Sequence, residues 1–167
     1  MLCMEMKISL LKPTKDNFKE FGEVVEKLEE PAATASEYHD YWHDLADLSS
    51  MGDEPTLGYL KVYRKDRPLE LDRMERHVNT AEVFIPINGT GIFFLCPPME
   101  KPDINKVKAF LVDRSCALSL HPGTWHWLPF SLTEEMDFIL VLRKTTVERD
   151  IEIVSLGDVY KINLVRG

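Results

Sequence analysis

The sequence predicts an all-β protein, a sandwich or barrel with one short helix near its amino terminus. Three observations carry this expectation. Short strand-like stretches recur from residue 56 onward, and turn signals such as Asn88-Gly89, Pro97-Pro98, Lys101-Pro102-Asp103 and Pro122-Gly123 separate them. No stretch sustains the 3.6-residue apolar period of a long helix. The 167 residues suit one domain large enough to bury a sizeable core. The expected organisation is a single domain over 1–167, with a core barrel over about 56–145 and both ends packed on it.

The elements follow in order. Residues 7–11 read as a strand stopped by Pro13. Thr14 then caps a helix over 15–21, which sets Phe18 and Phe21 on one face before Gly22 ends it. A strand follows at 23–25. Residues 26–37 are acidic and small, as a surface loop would be. Two His-Asp pairs, His39-Asp40 and His43-Asp44, then flank Trp42. Over 56–64 the pattern alternates, with Leu57, Tyr59, Lys61 and Tyr63 on one side and Leu60 and Val62 on the other. Further strands are expected at 68–71, 81–86, 91–96, 107–112, 117–120, 137–143 and 151–154, followed by a tail lying on the outside.

Composition excludes several functions. A formal net charge of −8 argues against nucleic acid or an anionic membrane as partner, while leaving room for a small anionic ligand in a locally basic pocket. Cys3, Cys96 and Cys116 are odd in number, widely spaced and without a CxxC pair, which fits a reducing compartment. No stretch has the length of a membrane span or the pattern of a secretion signal. The expectation is a cytoplasmic protein.

Chemistry concentrates in two places. In 117–130, a strand enters the Pro122-Gly123 turn between His121 and His126, and Trp125 and Trp127 flank His126. Two imidazoles so close together can serve as metal ligands or as acid–base groups near neutral pH. The plain alternative is a hairpin whose histidines bond only to backbone. Earlier in the chain, Glu75 and His77 are two apart, Glu82 follows, and Gly89 closes the set. This resembles the first cupin motif, with Glu75 in place of the usual first histidine, and Pro122 to His126 resembles the second. Together the motifs would bring Glu75, His77, Glu82 and His126 to the mouth of a small jelly-roll barrel. Imidazole and carboxylate donors suit a divalent ion such as Ni²⁺, Mn²⁺, Fe²⁺, Zn²⁺ or Co²⁺, and the spacing does not choose among these. The alternative is a surface turn at Glu75-Arg76 beside a hydrogen-bonded core histidine.

Five segments resemble the ureidoglycolate lyase family, in its order and over most of the chain: 16–25 (DNFKEFGEVV), Trp42-His43-Asp44-Leu45, 75–86 (ERHVNTAEVFIP), 102–110, and 121–129 (HPGTWHWLP) leading to Asp137-Phe138. The resemblance implies a dimeric cupin-type barrel that splits ureidoglycolate into glyoxylate and urea with a divalent metal, nickel foremost. The sequence departs from the family pattern at Glu82 (usually glutamine), at Trp127 (a second histidine) and at Leu142 (the aspartate of an Asp-Arg pair). An arginine usual just before the Trp42 to Leu45 segment is missing. On this scheme His77, Glu82 and His126, with Glu75, hold the metal, so that Glu82 and His126 are catalytic through it. His121 transfers protons. Arg64, where the family carries an arginine, or Lys61 pairs with the substrate carboxylate. Trp125 walls the site, and Asp44 orients His43 or a ligand from the rim. A cupin that binds another small hydroxy acid, keto acid or sugar, or an isomerase or dioxygenase on the same ligands, stays open.

Overall fold

A computed structural model describes residues 1–66 and 68–167 and is almost wholly β. In chain order its elements are β1 (Cys3–Leu11), α1 (Lys15–Phe18), β2 (Gly22–Val25), β3 (Thr34–Ala35), β4 (Asp40–Tyr41), β5 (Pro55–Tyr63), β6 (Glu70–Arg76) and β7 (Glu82–Asn88). They continue with β8 (Gly91–Cys96), β9 (Lys108–Val112), β10 (Ala117–Leu120), β11 (Trp125–His126), β12 (Phe130–Ser131), β13 (Glu135–Arg143), α2 (Thr146–Arg149) and β14 (Glu152–Arg166). Antiparallel pairs nest inside one another: β8 with β9, β7 with β10, β6 with β11 and β5 with β13. A long hairpin rolled up on itself gives this pattern, so the fold is the cupin-type jelly roll that the two motifs imply.

One sheet runs β2-β10-β7-β13-β5. The other runs β11-β6-β14-β1-β9-β8-β12, and a further β11–β8 pairing closes it on itself. β8 lies at the junction of two cores, which explains why all six of its residues are buried instead of alternating. Phe93 and Leu95 pack with Phe18, Phe21, Phe84, Phe110 and Phe138 inside the roll. Ile92, Phe94 and Cys96 face the other way, onto Leu71, Met74, Trp125 and, from the two ends of the chain, Ile8 and Ile162.

The short helix is capped as its sequence dictates. Asn17 N donates to Thr14 Oγ1 (3.2 Å) and Thr14 N donates to Asn17 Oδ1 (2.8 Å). It stops at Phe18, short of the expected 21, because Phe21 N turns back to Phe18 O (2.8 Å) and both rings drop edge-on against Phe110. The carboxyl-terminal stretch differs more. Instead of a strand over 151–154 and an outer tail, it is one strand inserted between β1, in parallel register, and β6, antiparallel. Among the described residues, no helix is long and apolar enough to cross a membrane.

Candidate metal centre

Three pieces of backbone bring four side chains together. The β6–β11 register sets His126 opposite Glu75. Glu82 opens β7, opposite Leu120. His77, just past β6, is tied to the second motif through its carbonyl, which accepts from Gly123 N (2.6 Å). Gly123 has φ +86°, a left-handed conformation that glycine adopts without side-chain strain. The Pro-Gly turn therefore both delivers His126 and clamps His77. One ligand atom from each of Glu75, His77 and His126 lies within 4.8 Å of the others, a set that can hold a metal ion. Glu82 Oε2 is 3.2 Å from the Nε2 of both histidines, and Glu75 Oε1 is 3.6 Å from that of His126.

The histidine tautomers follow from their outer partners. His77 Nδ1 lies 2.6 Å from Asp150 O, and His126 Nδ1 lies 3.0 Å from Thr124 O. A carbonyl only accepts, so each Nδ1 carries hydrogen and each Nε2 turns inward as donor atom or proton carrier. Glu82 Oε2 is buried between them without a hydrogen bond of proper geometry. Two imidazole lone pairs aimed at a carboxylate would repel it, so this arrangement calls for a cation in its midst, either a proton or a metal ion. Burial, the largest influence on His77, lowers its pKa, but the contact and charge of Glu82 outweigh it and raise the value to about 9. Burial likewise opposes ionisation of Glu82, and the contacts with His126 and His77 outweigh it. His77 and Glu82 thus form a buried ion pair as they stand, and the orphaned oxygen between two inward nitrogens fits a divalent ion.

The cluster floors a cavity of about 310 Å³ whose other walls include Tyr59, Leu60, Phe84, Trp127, Leu128, Leu140, Leu142 and Ile151. Among the described residues, no lysine or arginine lines it.

A family model described as "Ureidoglycolate lyase" matches residues 5–163. The chain belongs to the ureidoglycolate lyase family. Ureidoglycolate lyase of Escherichia coli (strain SMS-3-5 / SECEC) is 25% identical over 151 residues, covering 88% of this chain and 94% of that one. Ureidoglycolate lyase of Salmonella paratyphi B is 25% identical over 152 residues with the same coverage. Among solved structures, the sugar 3,4-ketoisomerase QdtA of Thermoanaerobacterium thermosaccharolyticum aligns at TM-score 0.47 and 18% identity, over 77% of this chain and 85% of that one.

As a member of this family the protein is a lyase, and its expected site residues divide sharply. Glu75, His77, Glu82 and His126 converge. His121 does not join them. β10 and β11 belong to different sheets, so the turn between them sends His121 to a separate cavity of about 470 Å³, with Lys15, Lys19, His43 and Asp44. Asp44 is there too, its largely exposed side chain 2.6 Å from His43 Nδ1. Arg64 sits past the far end of β5 and donates to Leu132 O (3.3 Å). Lys61 is held by Glu135 (2.7 Å) and Asp137 (3.1 Å). Trp125 faces away from His126, as alternation along β11 requires. Its Nε1 donates to Met99 O (3.0 Å), and the Arg76 guanidinium stacks 4.4 Å from the ring centre. The cavity wall comes instead from Trp127, beyond the strand end, and from inward residues of β13. Sequence reasoning also missed Asp150, whose carbonyl fixes His77 and whose carboxylate accepts from Val78 N (3.0 Å) and Asn79 N (2.9 Å). Nothing local to residue 150 signals that role.

Proposed function

We propose that this lyase cleaves ureidoglycolate to glyoxylate and urea in the cavity above Glu75, His77, Glu82 and His126. The observation that carries the reading is the pair of imidazoles, each anchored through Nδ1, whose inward Nε2 atoms meet the orphaned Glu82 oxygen at the cavity floor. A divalent ion held by these four residues would supply fixed positive charge for an α-hydroxy carboxylate and lower the pKa of the hydroxyl beside it. Nickel follows from the family resemblance, and the donor set serves manganese, zinc or iron as well.

The protein's own groups then divide the work. With no lysine or arginine in the wall among the described residues, the substrate's carboxylate and hydroxyl face the cluster and its urea end lies along the apolar wall. Glu82 is locked between the histidines. Glu75 is more accessible, with 22% of its side chain exposed, and it takes the hydroxyl proton. As the carbonyl forms and the carbon–nitrogen bond breaks, Glu75 returns that proton to the departing urea nitrogen. Phe84, Leu140 and Leu142 keep bulk water from the reacting carbon. The family resemblance further supports a cytoplasmic homodimer acting in allantoin breakdown.

The test is urea release from racemic ureidoglycolate, corrected for spontaneous decay, before and after loading with nickel or manganese. Metal-stimulated turnover is expected. It should vanish in His126→Ala and fall by about 10²–10⁴-fold in Glu75→Gln, with β-sheet circular dichroism retained in both. Wild-type turnover in His126→Ala would overturn the assignment of the site.

A further inference from the structure

The cavity is apolar beyond what ureidoglycolate needs. Its acidic and imidazole groups sit together at the floor, while Leu60, Trp127, Leu128, Leu140, Leu142 and Ile151 make much of the rest. At about 310 Å³ the space also exceeds what a two-carbon acid bearing a urea group fills, since cavities of roughly 300 Å³ and above enclose far larger ligands. Because the carboxylate end is drawn to the cluster, the group on the substrate nitrogen lies against a mostly apolar wall, in which Tyr59 and Trp127 are the side chains with a polar atom. The terminal amide of a urea would there lose hydrogen bonds to water that a largely apolar wall replaces only in small part.

We infer that the preferred substrates are N-acyl-α-hydroxyglycines whose acyl group ends in hydrocarbon, rather than the N-carbamoyl compound. The inference rests on the lyase centre proposed above and shifts its preferred substrate from ureidoglycolate to this wider class. The bonds are the same ones. The carbon–nitrogen bond breaks with its electron pair going to nitrogen, the hydroxyl oxygen becomes the aldehyde oxygen of glyoxylate, and the hydroxyl proton ends on the departing carboxamide nitrogen. No oxidant or second reactant enters.

The experiment measures glyoxylate, the product common to every substrate, from metal-loaded enzyme given racemic N-carbamoyl-, N-acetyl-, N-butyryl- or N-benzoyl-α-hydroxyglycine, with spontaneous decay subtracted. kcat/KM should rise from acetyl to butyryl by roughly tenfold or more per methylene and exceed that of ureidoglycolate. Trp127→His should flatten the series and favour the carbamoyl substrate. Turnover of ureidoglycolate with a flat or falling acyl series would overturn this inference and leave the lyase reading standing. Acyl substrates cleaved while ureidoglycolate is inert would support the inference and refute ureidoglycolate as substrate. Glyoxylate from none of the four would end both. The wild-type series decides even where Trp127→His does not fold.

Discussion

Glu82 Oε2 is the atom whose surroundings say most about this centre. It is buried, lies 3.2 Å from two nitrogens, and is satisfied only when something positive sits between them. Replacing the carboxylate by its neutral isostere tests that directly. In Glu82→Gln an amide N–H can donate to a neutral Nε2, so the metal-free site loses its need for a cation. We expect the chelator-treated variant to melt close to wild type near neutral pH, because the lost ion contacts are offset by relief of burying charge. Its affinity for nickel or zinc, measured against a chromophoric chelator, should drop at least tenfold. Unchanged affinity would remove Glu82 from the donor set.

At the scale of elements, the centre depends on two turns holding each other. The Pro122-Gly123 turn reaches back to His77 O, and the residue after α2, Asp150, grips the opposite side of the same loop through Val78, Asn79 and His77 Nδ1. Asp150→Ala frees the 77–79 backbone while keeping its own carbonyl. It should weaken metal binding by about 10–100-fold with the barrel intact, and wild-type affinity in that variant would show the clamp to be dispensable. The same elements explain what the sequence made legible. The spacing of Glu75, His77 and Glu82 and the Pro-Gly turn before His126 are local patterns, and the four residues they marked do meet. His121 was misplaced because closeness in sequence says nothing of a turn that passes from one sheet to the other. Arg64 and Lys61 were misplaced because strand alternation gives a side chain's face but not its position along the barrel. β14 was read only over 151–154, and its longer part was missed for a third reason. Gly157, at φ +86°, lies within its register shift and breaks the alternation, and its parallel partner β1 is at the other end of the chain.

For the whole molecule, the ionised His77–Glu82 pair makes folding itself depend on pH, and metal should reverse that dependence. Without metal, His77 is raised from 6.5 to about 9, so over that interval the folded state holds a proton the unfolded chain has lost. Its contribution is complete below pH 6.5 and disappears as pH climbs through about 9. Glu82 is lowered from 4.5 to about 2, so its contribution is complete above pH 4.5 and is lost as pH falls through about 2. The pair therefore favours the metal-free fold most between pH 4.5 and 6.5. The His77 share is on the order of 3 kcal/mol, which for a chain of this size corresponds to roughly 5–10 °C in melting temperature. A metal ion needs the His77 nitrogen without its proton, so loading releases a proton and grows tighter with rising pH until about 9. Chelated protein should then lose melting temperature steadily from pH 6.5 to 9.5, while nickel- or zinc-loaded protein holds its value or gains. His77→Gln, lacking the titrating group, should remove most of the difference between the two curves. Parallel curves for chelated and loaded wild-type protein would mean that the ion binds somewhere other than between His77 and His126.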